Sequence, residues 1–282
     1  MRAAILVPAP GFHEAWNWAY DVEADALRRA GLEVEPRPWS DPGELAAFDL
    51  VMPLVAWGYH LDPARWHALL DRLAATDVTT LNPVALLRWN SDKRYLTQLG
   101  AAGIATVPTR LVEVLDDAAL DEARGDYGDV LVIKPPVSAA ADGTFRIGPS
   151  DPIPAEARGR PMMIQPFLRS VTDEGEYSVM LFGGRFSHCI VKRPKAGDYR
   201  VQPHLGGSEA PVAPPDGAVA LATAALAAAP CEAAYARVDL VRNNDGALSV
   251  IELELIEPAL WLQHAPDGGA LFATAIFECA RQ

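Results

Sequence analysis

Residues 237–255 of the chain read RVDLVRNNDGALSVIELEL, and the fold is organised around this stretch. Two runs that alternate between apolar and polar residues flank the pair Asp245-Gly246. An Asp-Gly pair between such runs is the strongest short-range signal for a β-hairpin closed by a two-residue type I′ turn. The sequence therefore predicts an antiparallel hairpin here.

The register of this hairpin follows from its turn. Counting back from the turn places Asp239 opposite Glu252 and Arg237 opposite Glu254. Because side chains alternate across a strand, Asp239, Glu252 and Glu254 share one face. The other face is predicted to be apolar and to pack on a core: it carries Val238, Leu240, Ile251, Leu253 and Leu255.

The shared face of acids has two interpretations. Like charges directly across a sheet repel, so a positive group should lie between them. Mg²⁺ suits the position, because it is a hard cation that takes oxygen ligands and leaves room for phosphate oxygens. The alternative is that the acids form only the solvent-facing side of an antiparallel sheet. The pairing alone leaves both open.

The composition narrows the class of protein. The chain has 282 residues, half of them hydrophobic, which predicts two or three subdomains with a substantial core. A net charge of -13 argues against a general binder of nucleic acid or anionic membranes. We see no signal-peptide pattern and no apolar run of membrane-spanning length, and the three cysteines are scattered. We therefore expect a reduced, cytoplasmic protein with no nucleic-acid or membrane partner.

Lysine is rare in the chain. Most basic residues are arginine, and the lysines are Lys93, Lys134, Lys192 and Lys195. A retained lysine suggests a role for a compact ammonium, such as contact with a phosphate. The alternative is a composition bias that leaves lysines at positions without meaning.

The first part of the chain predicts a small parallel sheet. Strands are expected at residues 3–7, 32–36 and 49–57, and helices at 14–30 and 63–75. This part has no Gly-x-Gly-x-x-Gly, so we do not predict a dinucleotide site. Ligands of such sheets lie beyond the carboxyl ends of the strands, which makes the loops 8–12 and 57–60 candidates for substrate contact. His60 in the second loop is either a residue that acts on the substrate or an ordinary loop or core histidine.

The middle of the chain carries two of the lysines. Beyond a boundary near Asn82-Pro83, a helix is predicted to begin around residue 89, with Ser91 or Asp92 as its N-cap. A strand at 131–134 then ends in Lys134, and a loop of small residues follows at 137–143. Small side chains let backbone N–H groups approach a phosphate closely. The alternative for this loop is an ordinary Asp142-Gly143 hairpin turn.

The last part of the chain is predicted to be mostly antiparallel. A strand at 162–168 leaves through Pro166, which has no N–H to donate. A second hairpin is expected at 176–192 around Gly183-Gly184, and it leads into the most basic segment, 192–202. An alanine-rich helix at 216–229 precedes the carboxylate hairpin, and a closing helix is predicted from about residue 268.

Taken together, these motifs resemble the ATP-grasp superfamily, in which two α+β subdomains clamp Mg·ATP; the match covers about residues 90–258. The stretches RWNSDKRYL (88–96) and ELELIEP (252–258) resemble a bacterial branch of stand-alone ATP-grasp proteins. That branch includes, or lies near, the cyclo-ligase that closes the ring of cycloserine, an O-ureido-serine cyclo-ligase. The resemblance implies an α/β and α+β fold: a Rossmann-like substrate domain at 1–86, a central ATP-grasp subdomain at 87–166 and a C-terminal one with the metal site at 167–282.

The resemblance also implies roles for residues. Lys93 and Lys134 would contact the nucleotide phosphates, and Arg200 would meet the transferred phosphoryl group or the acyl phosphate, which makes Lys134 and Arg200 the catalytic candidates. Asp239, Glu252 and Glu254 would hold Mg²⁺. The segment of Gln165, Pro166, Phe167 and Leu168 would hold adenine through its backbone. Other nucleotide-binding candidates are Ser138, Glu176 and Lys192. Substrate candidates, besides Arg200, are Gln202, His204, Gly206, Gly207, Tyr59 and His60.

One position departs from the common family pattern. That pattern ends Glu-x-Asn, whereas this chain has Glu252-Leu253-Glu254. The extra negative charge could tighten metal binding, or Arg237 could neutralise Glu254 and leave two metal ligands.

The function implied by the resemblance is an ATP- and Mg²⁺-dependent ligase in antibiotic biosynthesis. ATP would convert a small carboxylate into an acyl phosphate, and a nitrogen nucleophile would then displace phosphate. Such phosphoryl transfer needs alignment and charge neutralisation rather than a protein nucleophile. Ring closure within one amino-acid-derived substrate is favoured, and the alternatives are dipeptide-type ligation and a non-catalytic nucleotide-binding module. A homodimer is also expected from the resemblance.

Overall fold

Three β-sheets, drawn from successive parts of the chain, organise the computed structural model, which describes residues 1–202 and 205–281. The first sheet is parallel, and the other two are antiparallel. Within these described ranges, no helix has the length and apolarity needed to cross a membrane.

The first sheet confirms the predicted βαβ alternation. Its strand order is β2-β1-β3-β4, from β1 (Arg2–Val7), β2 (Glu33–Pro38), β3 (Leu50–Met52) and β4 (Thr79–Thr80). The helices are α1 (Asn17–Arg29) and α2 (Pro63–Ala74). Alternate residues of β1 enter two different cores, because the sheet is covered on both faces. The strand predicted at 49–57 is shorter than expected, since it ends at Met52.

The prediction of a helix that begins near residue 89 is wrong. One helix, α3 (Val84–Asn90), ends there, and α4 (Tyr95–Ala101) begins after a turn. Ser91 closes α3, because its Oγ donates to the Leu87 carbonyl at 2.8 Å. Residues that cap the start of a helix also bond to the preceding turn, and the sequence did not distinguish the two. Lys93 consequently lies in the turn, where its amide donates to the Pro136 carbonyl at 2.7 Å.

The second sheet has the order β5-β8-β6-β7 and packs against α5 (Asp117–Tyr127). Its strands are β5 (Arg110–Val112), β6 (Leu131–Lys134), β7 (Phe145–Ile147) and β8 (Met162–Pro166). The small-residue loop joins β6 to β7 and is therefore a hairpin connection, but one much longer than an Asp-Gly turn. Its Gly143 has φ 65°, and a Cβ there would lie 2.8 Å from Pro135 Cγ, so only glycine fits.

The third sheet has the order β11-β10-β9-β12-β13. Its strands are β9 (Glu176–Phe182), β10 (Arg185–Arg193), β11 (Ser208–Pro211), β12 (Tyr235–Arg242) and β13 (Leu248–Glu254). The helices of this part are α6 (Arg169–Asp173), α7 (Ala218–Ala227) and α8 (Ala270–Cys279). The predicted hairpin at 176–192 and the two predicted helices are confirmed. Helix α8 packs against α1, so the end of the described chain contributes to the core of the first sheet.

The carboxylate hairpin has the predicted register but not the predicted turn. Asn243 pairs with Ala247, since its amide donates to that carbonyl at 2.8 Å, which leaves a three-residue loop with Gly246 at φ 86°. The strand pairs next to the loop are therefore displaced by one residue. A bulge at Ile251 removes this displacement, so Asp239 lies opposite Glu252 and Arg237 opposite Glu254, as predicted.

The bulge has a consequence for Ile251 itself. The sequence placed this side chain on the apolar face with Val238 and Leu253, and that placement is wrong. Ile251 instead packs beside Val171 and Leu168 and lines the central cavity. An inserted residue reverses the alternation locally, and no sequence signal marked it.

Candidate active site

A cavity of about 1490 Å³ lies where parts of all three regions of the chain meet. Its wall includes the loop after β3, the turn before α4, the loop between β6 and β7, and strands of the third sheet. Most of the residues predicted for the site line it: His60, Lys93, Lys134, Ser138, Gln165, Pro166, Phe167, Leu168, Glu176, Lys192, Arg200, Gln202, Asp239, Glu252 and Glu254.

The three acids of the hairpin converge in this cavity. One carboxylate oxygen each of Asp239, Glu252 and Glu254 lies within 4.8 Å of the other two. Asp239 is fully buried, and the two glutamates are partly buried. An all-oxygen set of carboxylates is the kind of donor set that Mg²⁺ takes. The residues present therefore fit the predicted magnesium site.

Cations hold Asp239 from several sides. Lys192 Nζ lies 2.9 Å from Asp239 Oδ2, and Arg237 Nε lies 3.0 Å from Asp239 Oδ1. Ser178 Oγ also donates to Asp239 Oδ1, at 2.6 Å. Burial opposes ionisation, yet the positive Arg237 and Lys192 keep the pKa of Asp239 below its usual range. Asp239 is therefore an anion before any metal binds.

Glu254 is less readily ionised than Asp239. Arg237 donates to Glu254 as well as to Asp239, so the pairing of Glu254 with Arg237 is present. Burial nevertheless raises the pKa of Glu254 to about 7, and the nearby negative Glu252 adds to the rise. The geometry keeps both interpretations of Glu254 open, since the same carboxylate belongs to the metal cluster and to the ion pair.

The lysines of the cavity differ in their partners. Lys93 Nζ lies 2.5 Å from Glu252 Oε1, and Lys192 forms ion pairs with Glu176 and Asp239. Lys134 is only 9% exposed, and none of the described acids lies within ion-pair distance of it. Burial, together with the positive Lys93, lowers the pKa of Lys134 to about 8. A buried, unpaired ammonium is suited to an incoming anion.

Backbone groups are available at the end of β8. The amide of Phe167 donates to the Val130 carbonyl at 3.0 Å, and its carbonyl accepts from Asn244 Nδ2 at 3.1 Å. None of the described residues accepts a hydrogen bond from the amide of Leu168. This segment therefore offers a donor to a ligand, in line with the predicted backbone contact to adenine.

The side chains of Gln165 and Ser138 are engaged locally. Gln165 Nε2 donates to Thr109 Oγ1 at 2.8 Å, and Ser138 Oγ donates to the Pro135 carbonyl at 3.1 Å. Both residues are buried. They shape the cavity wall in this structure.

Arg200 lies at the edge of the cavity on the segment after β10. Its Nε and NH2 groups donate to the two carboxylate oxygens of Asp198, at 3.1 and 2.9 Å. The guanidinium keeps the pKa of Asp198 below its usual range. This bidentate pair fixes the position of the Arg200 guanidinium at the cavity wall, where Arg200 was predicted to meet the transferred group.

Some predicted substrate residues lie elsewhere. Tyr59 is 5% exposed and does not line the cavity, because its ring packs against Trp66 with centroids 4.9 Å apart. Gly206 and Gly207 also lie outside the wall, and a Cβ on Gly207 would be 2.1 Å from the Val201 carbonyl oxygen. Gly207 therefore serves close backbone packing. The candidate His204 lies outside the described residues.

His60 and Gln202 do line the cavity. His60 Nε2 is 3.9 Å from Asp142 Oδ2 in the β6–β7 loop, and His60 Nδ1 is buried without a hydrogen-bond partner among the described residues. Burial lowers the pKa of His60. Gln202 Oε1 is likewise buried and without a partner in the described part of the chain.

Known proteins are similar to this chain over most of its length. A family model described as "D-cycloserine synthetase DcsG, N-terminal domain" matches residues 8–82. The cycloserine biosynthesis protein DcsG of Streptomyces lavendulae is 33% identical over 281 residues, which cover 90% of this chain and 91% of that protein. The chain belongs to the DcsG family of ATP-grasp ligases.

Solved structures confirm the fold predicted for this ATP-grasp ligase. The crystal structure of D-cycloserine synthetase DcsG superimposes with a TM-score of 0.86 at 29% identity, covering 99% of this chain and 100% of that chain. The ATP-grasp ligase PsnB, complexed with minimal precursor, Mg and ADP, superimposes with a TM-score of 0.66 at 14% identity, covering 99% and 97% of the two chains. The second likeness shows the fold alone.

Sequence reasoning missed part of the wall of this ATP-grasp ligase. Glu257 and Trp261 both line the cavity, and neither was predicted to act there. Trp57 also lines it, and it belongs to the loop 57–60 that was predicted to contact substrate. Glu257 belongs to the quoted stretch 252–258, but it follows the end of β13, where alternation no longer predicts a direction. Trp261 has φ 44°, an uncommon conformation for a residue with a side chain, and its Nε1 has no hydrogen-bond partner among the described residues.

Proposed function

We propose that this ATP-grasp ligase activates a small amino-acid-derived carboxylate as an acyl phosphate and that a nitrogen of the same molecule closes a ring. The observation that carries the proposal is the meeting of the carboxylates Asp239 and Glu252 with the ammonium groups of Lys93 and Lys134 in one cavity. Ring closure in particular is proposed because of the similarity to DcsG, which extends over 90% of this chain.

The nucleotide would lie between β8 and the β6–β7 loop. The free amide of Leu168 would donate to the adenine, and Ile251 would pack nearby. Lys134, which has no ionised partner among the described residues, would gain one in a phosphate. Asp239, Glu252 and Glu254 would hold Mg²⁺, which would neutralise charge on the phosphates.

The chemistry then needs two displacements. A carboxylate oxygen of the substrate attacks the γ-phosphorus of ATP, the bond to the β-phosphate oxygen breaks, and ADP leaves. The nitrogen of the substrate next attacks the acyl carbon, phosphate leaves with the bonding electron pair, and the nitrogen loses a proton. Arg200, oriented by Asp198, would stabilise the negative charge of the transferred group.

An ADP-release assay tests this proposal. O-ureido-serine is supplied as the only organic substrate besides ATP, with wild type and Glu252→Gln in parallel. We expect ADP release by wild type in step with loss of O-ureido-serine, and almost none by Glu252→Gln. ADP release that requires a second amine would instead identify an intermolecular ligase, and ATP binding without ADP release from any substrate would identify a non-catalytic module.

A further inference from the structure

Glu257 differs from the hairpin acids Asp239, Glu252 and Glu254 because its side chain forms no ion pair with the described residues. Lys93 is engaged by Glu252, and Arg237 is engaged by Asp239 and Glu254. No ion pair reaches the Glu257 side chain from the part of the chain that the structure describes. A carboxylate in a cavity wall that has no partner in the protein is suited to a positively charged ligand.

The position of Glu257 is fixed by the first sheet. Trp57 lies in the loop after β3, and its Nε1 donates to the backbone carbonyl of Glu257 at 3.1 Å. The rings of Trp57 and Trp18 are neighbours, with centroids 5.7 Å apart, and both residues line the cavity. Glu257 thus lies on the side of the cavity that faces the substrate loops, three residues beyond the metal cluster.

Glu257 does not belong to the metal cluster itself. Among the described residues, the acids whose oxygens converge are Asp239, Glu252 and Glu254. Burial, reinforced by the negative Glu254, raises the pKa of Glu257 well above its usual value, so its ionised form needs a positive neighbour.

We propose that Glu257, held in place by Trp57, forms the subsite that binds the positively charged amino group of the substrate. This inference rests on the proposed function, because that function supplies an amino-acid-derived carboxylate whose amino group takes no part in ring closure. The carboxylate of the substrate is drawn toward Arg200, where it meets the transferred phosphoryl group, and its ammonium toward Glu257. The subsite thereby selects amino acids over simple carboxylic acids.

The test compares O-ureido-serine with its des-amino analogue, 3-(ureidooxy)propanoate. The analogue keeps the carboxylate and the ring-closing nitrogen and lacks only the ammonium. ADP release gives KM for O-ureido-serine, and competition against it gives the inhibition constant of the analogue. We expect wild type to bind the ammonium-bearing substrate about tenfold to a hundredfold more tightly, as for a charge-assisted hydrogen bond.

Two variants locate this preference. Glu257→Gln keeps the shape and removes the charge, so it should raise KM for O-ureido-serine about tenfold or more and leave the binding of the analogue and of ATP unchanged. Glu232→Gln is the matched control, because Glu232 is an exposed acid that does not line the cavity, and this variant should behave like wild type.

Several results would overturn the subsite. The subsite is excluded if wild type binds O-ureido-serine and the des-amino analogue equally well. It is also excluded if Glu257→Gln still prefers O-ureido-serine to the analogue. If Glu257→Gln loses binding of both compounds and of ATP, the proposed subsite is wrong, and Glu257 instead supports the metal site or the fold. If wild type releases no ADP with O-ureido-serine, the proposed ring closure fails, and this inference fails with it. Failure of the subsite alone is distinguishable, because wild type then still releases ADP.

Discussion

Lys93 Nζ and Glu252 Oε1 lie 2.5 Å apart, although the two residues are separated by 159 positions in the chain. The ion pair joins the turn before α4 to β13. Lys134, in the same cavity, has no such partner among the described residues. Both lysines are predicted to bind phosphate. In the free protein, however, the charge of Lys93 is neutralised by an acid and that of Lys134 is not.

Replacing Lys93 by methionine should destabilise the free protein. The change leaves the Glu252 carboxylate, whose side chain is 27% exposed, without its cation. We expect the free energy of unfolding to fall by about 2 kcal/mol in urea titrations. Arg94→Met is the matched control, since its side chain is 42% exposed, and it should change stability by less than about 0.5 kcal/mol. A Lys93→Met protein as stable as wild type would show that the ion pair contributes nothing.

Replacing Lys134 by methionine should stabilise the free protein while weakening ATP binding. At pH 7 the folded state holds a buried ammonium whose pKa is lowered to about 8, and this costs stability. We expect the variant to gain about 2 kcal/mol in the free energy of unfolding without ATP. The same titrations with ATP should show a smaller stabilisation than in wild type. Loss of stability in the variant would contradict this role for Lys134.

The pH dependence of this effect has a definite sign. Below pH 8 the lysine is charged in both states, so the variant should show its full advantage. Between about pH 8 and the ordinary value of 10.5, the unfolded chain binds more protons than the folded one, so wild type gains stability as the pH rises. The stability difference between Lys134→Met and wild type should therefore shrink over this range. A difference that stays constant from pH 7 to 10 would exclude the buried charge as its cause.

Glu254→Asn tests which carboxylates hold the metal. The side chain of Glu254 already shares Arg237 with Asp239, and its pKa of about 7 means that it is only partly ionised at neutral pH. We expect Glu254→Asn to keep Mg²⁺-dependent stabilisation by ATP, and Glu252→Gln to lose it, in thermal-shift measurements. If both variants lose it equally, Glu254 is a required ligand.

Arg200→Ala should separate binding from turnover. Arg200 contacts Asp198 and lines the cavity, where it is predicted to meet the transferred group rather than the adenine. We expect ATP affinity to change less than threefold and ADP release to fall about a hundredfold or more. Asp198→Asn should lower turnover less, because it loosens the guanidinium without removing it. Wild-type turnover in Arg200→Ala would exclude the proposed contact with the transferred group.

Much of the site was predictable because it depends on local alternation. The Asp239–Glu252 and Arg237–Glu254 pairs were predicted from the hairpin alone, and they are present even though the turn differs. The reason is that a longer loop and the bulge at Ile251 displace the register in opposite directions. Strand alternation cannot detect two irregularities that cancel.

The remaining differences come from contacts between distant parts of the chain. Ser91 could cap the following helix or close the preceding one, and the sequence around it allowed both. Tyr59 belongs to the predicted substrate loop 57–60, but its ring is buried in the core against Trp66. The backbone carbonyl of Glu257 accepts a hydrogen bond from Trp57, 200 residues away. None of these outcomes follows from periodicity, because each depends on which elements pack together.

The central claim, that the hairpin acids form the Mg·ATP site, is tested most directly by the thermal stability of wild type and Glu252→Ala with ATP, each with and without Mg²⁺. At a hundred times its dissociation constant, a ligand adds about 2.7 kcal/mol of stability. We expect wild type to be stabilised by ATP with Mg²⁺ much more than by ATP alone, and Glu252→Ala to show no effect of Mg²⁺. Equal stabilisation of both proteins, with no dependence on Mg²⁺, would contradict the metal site.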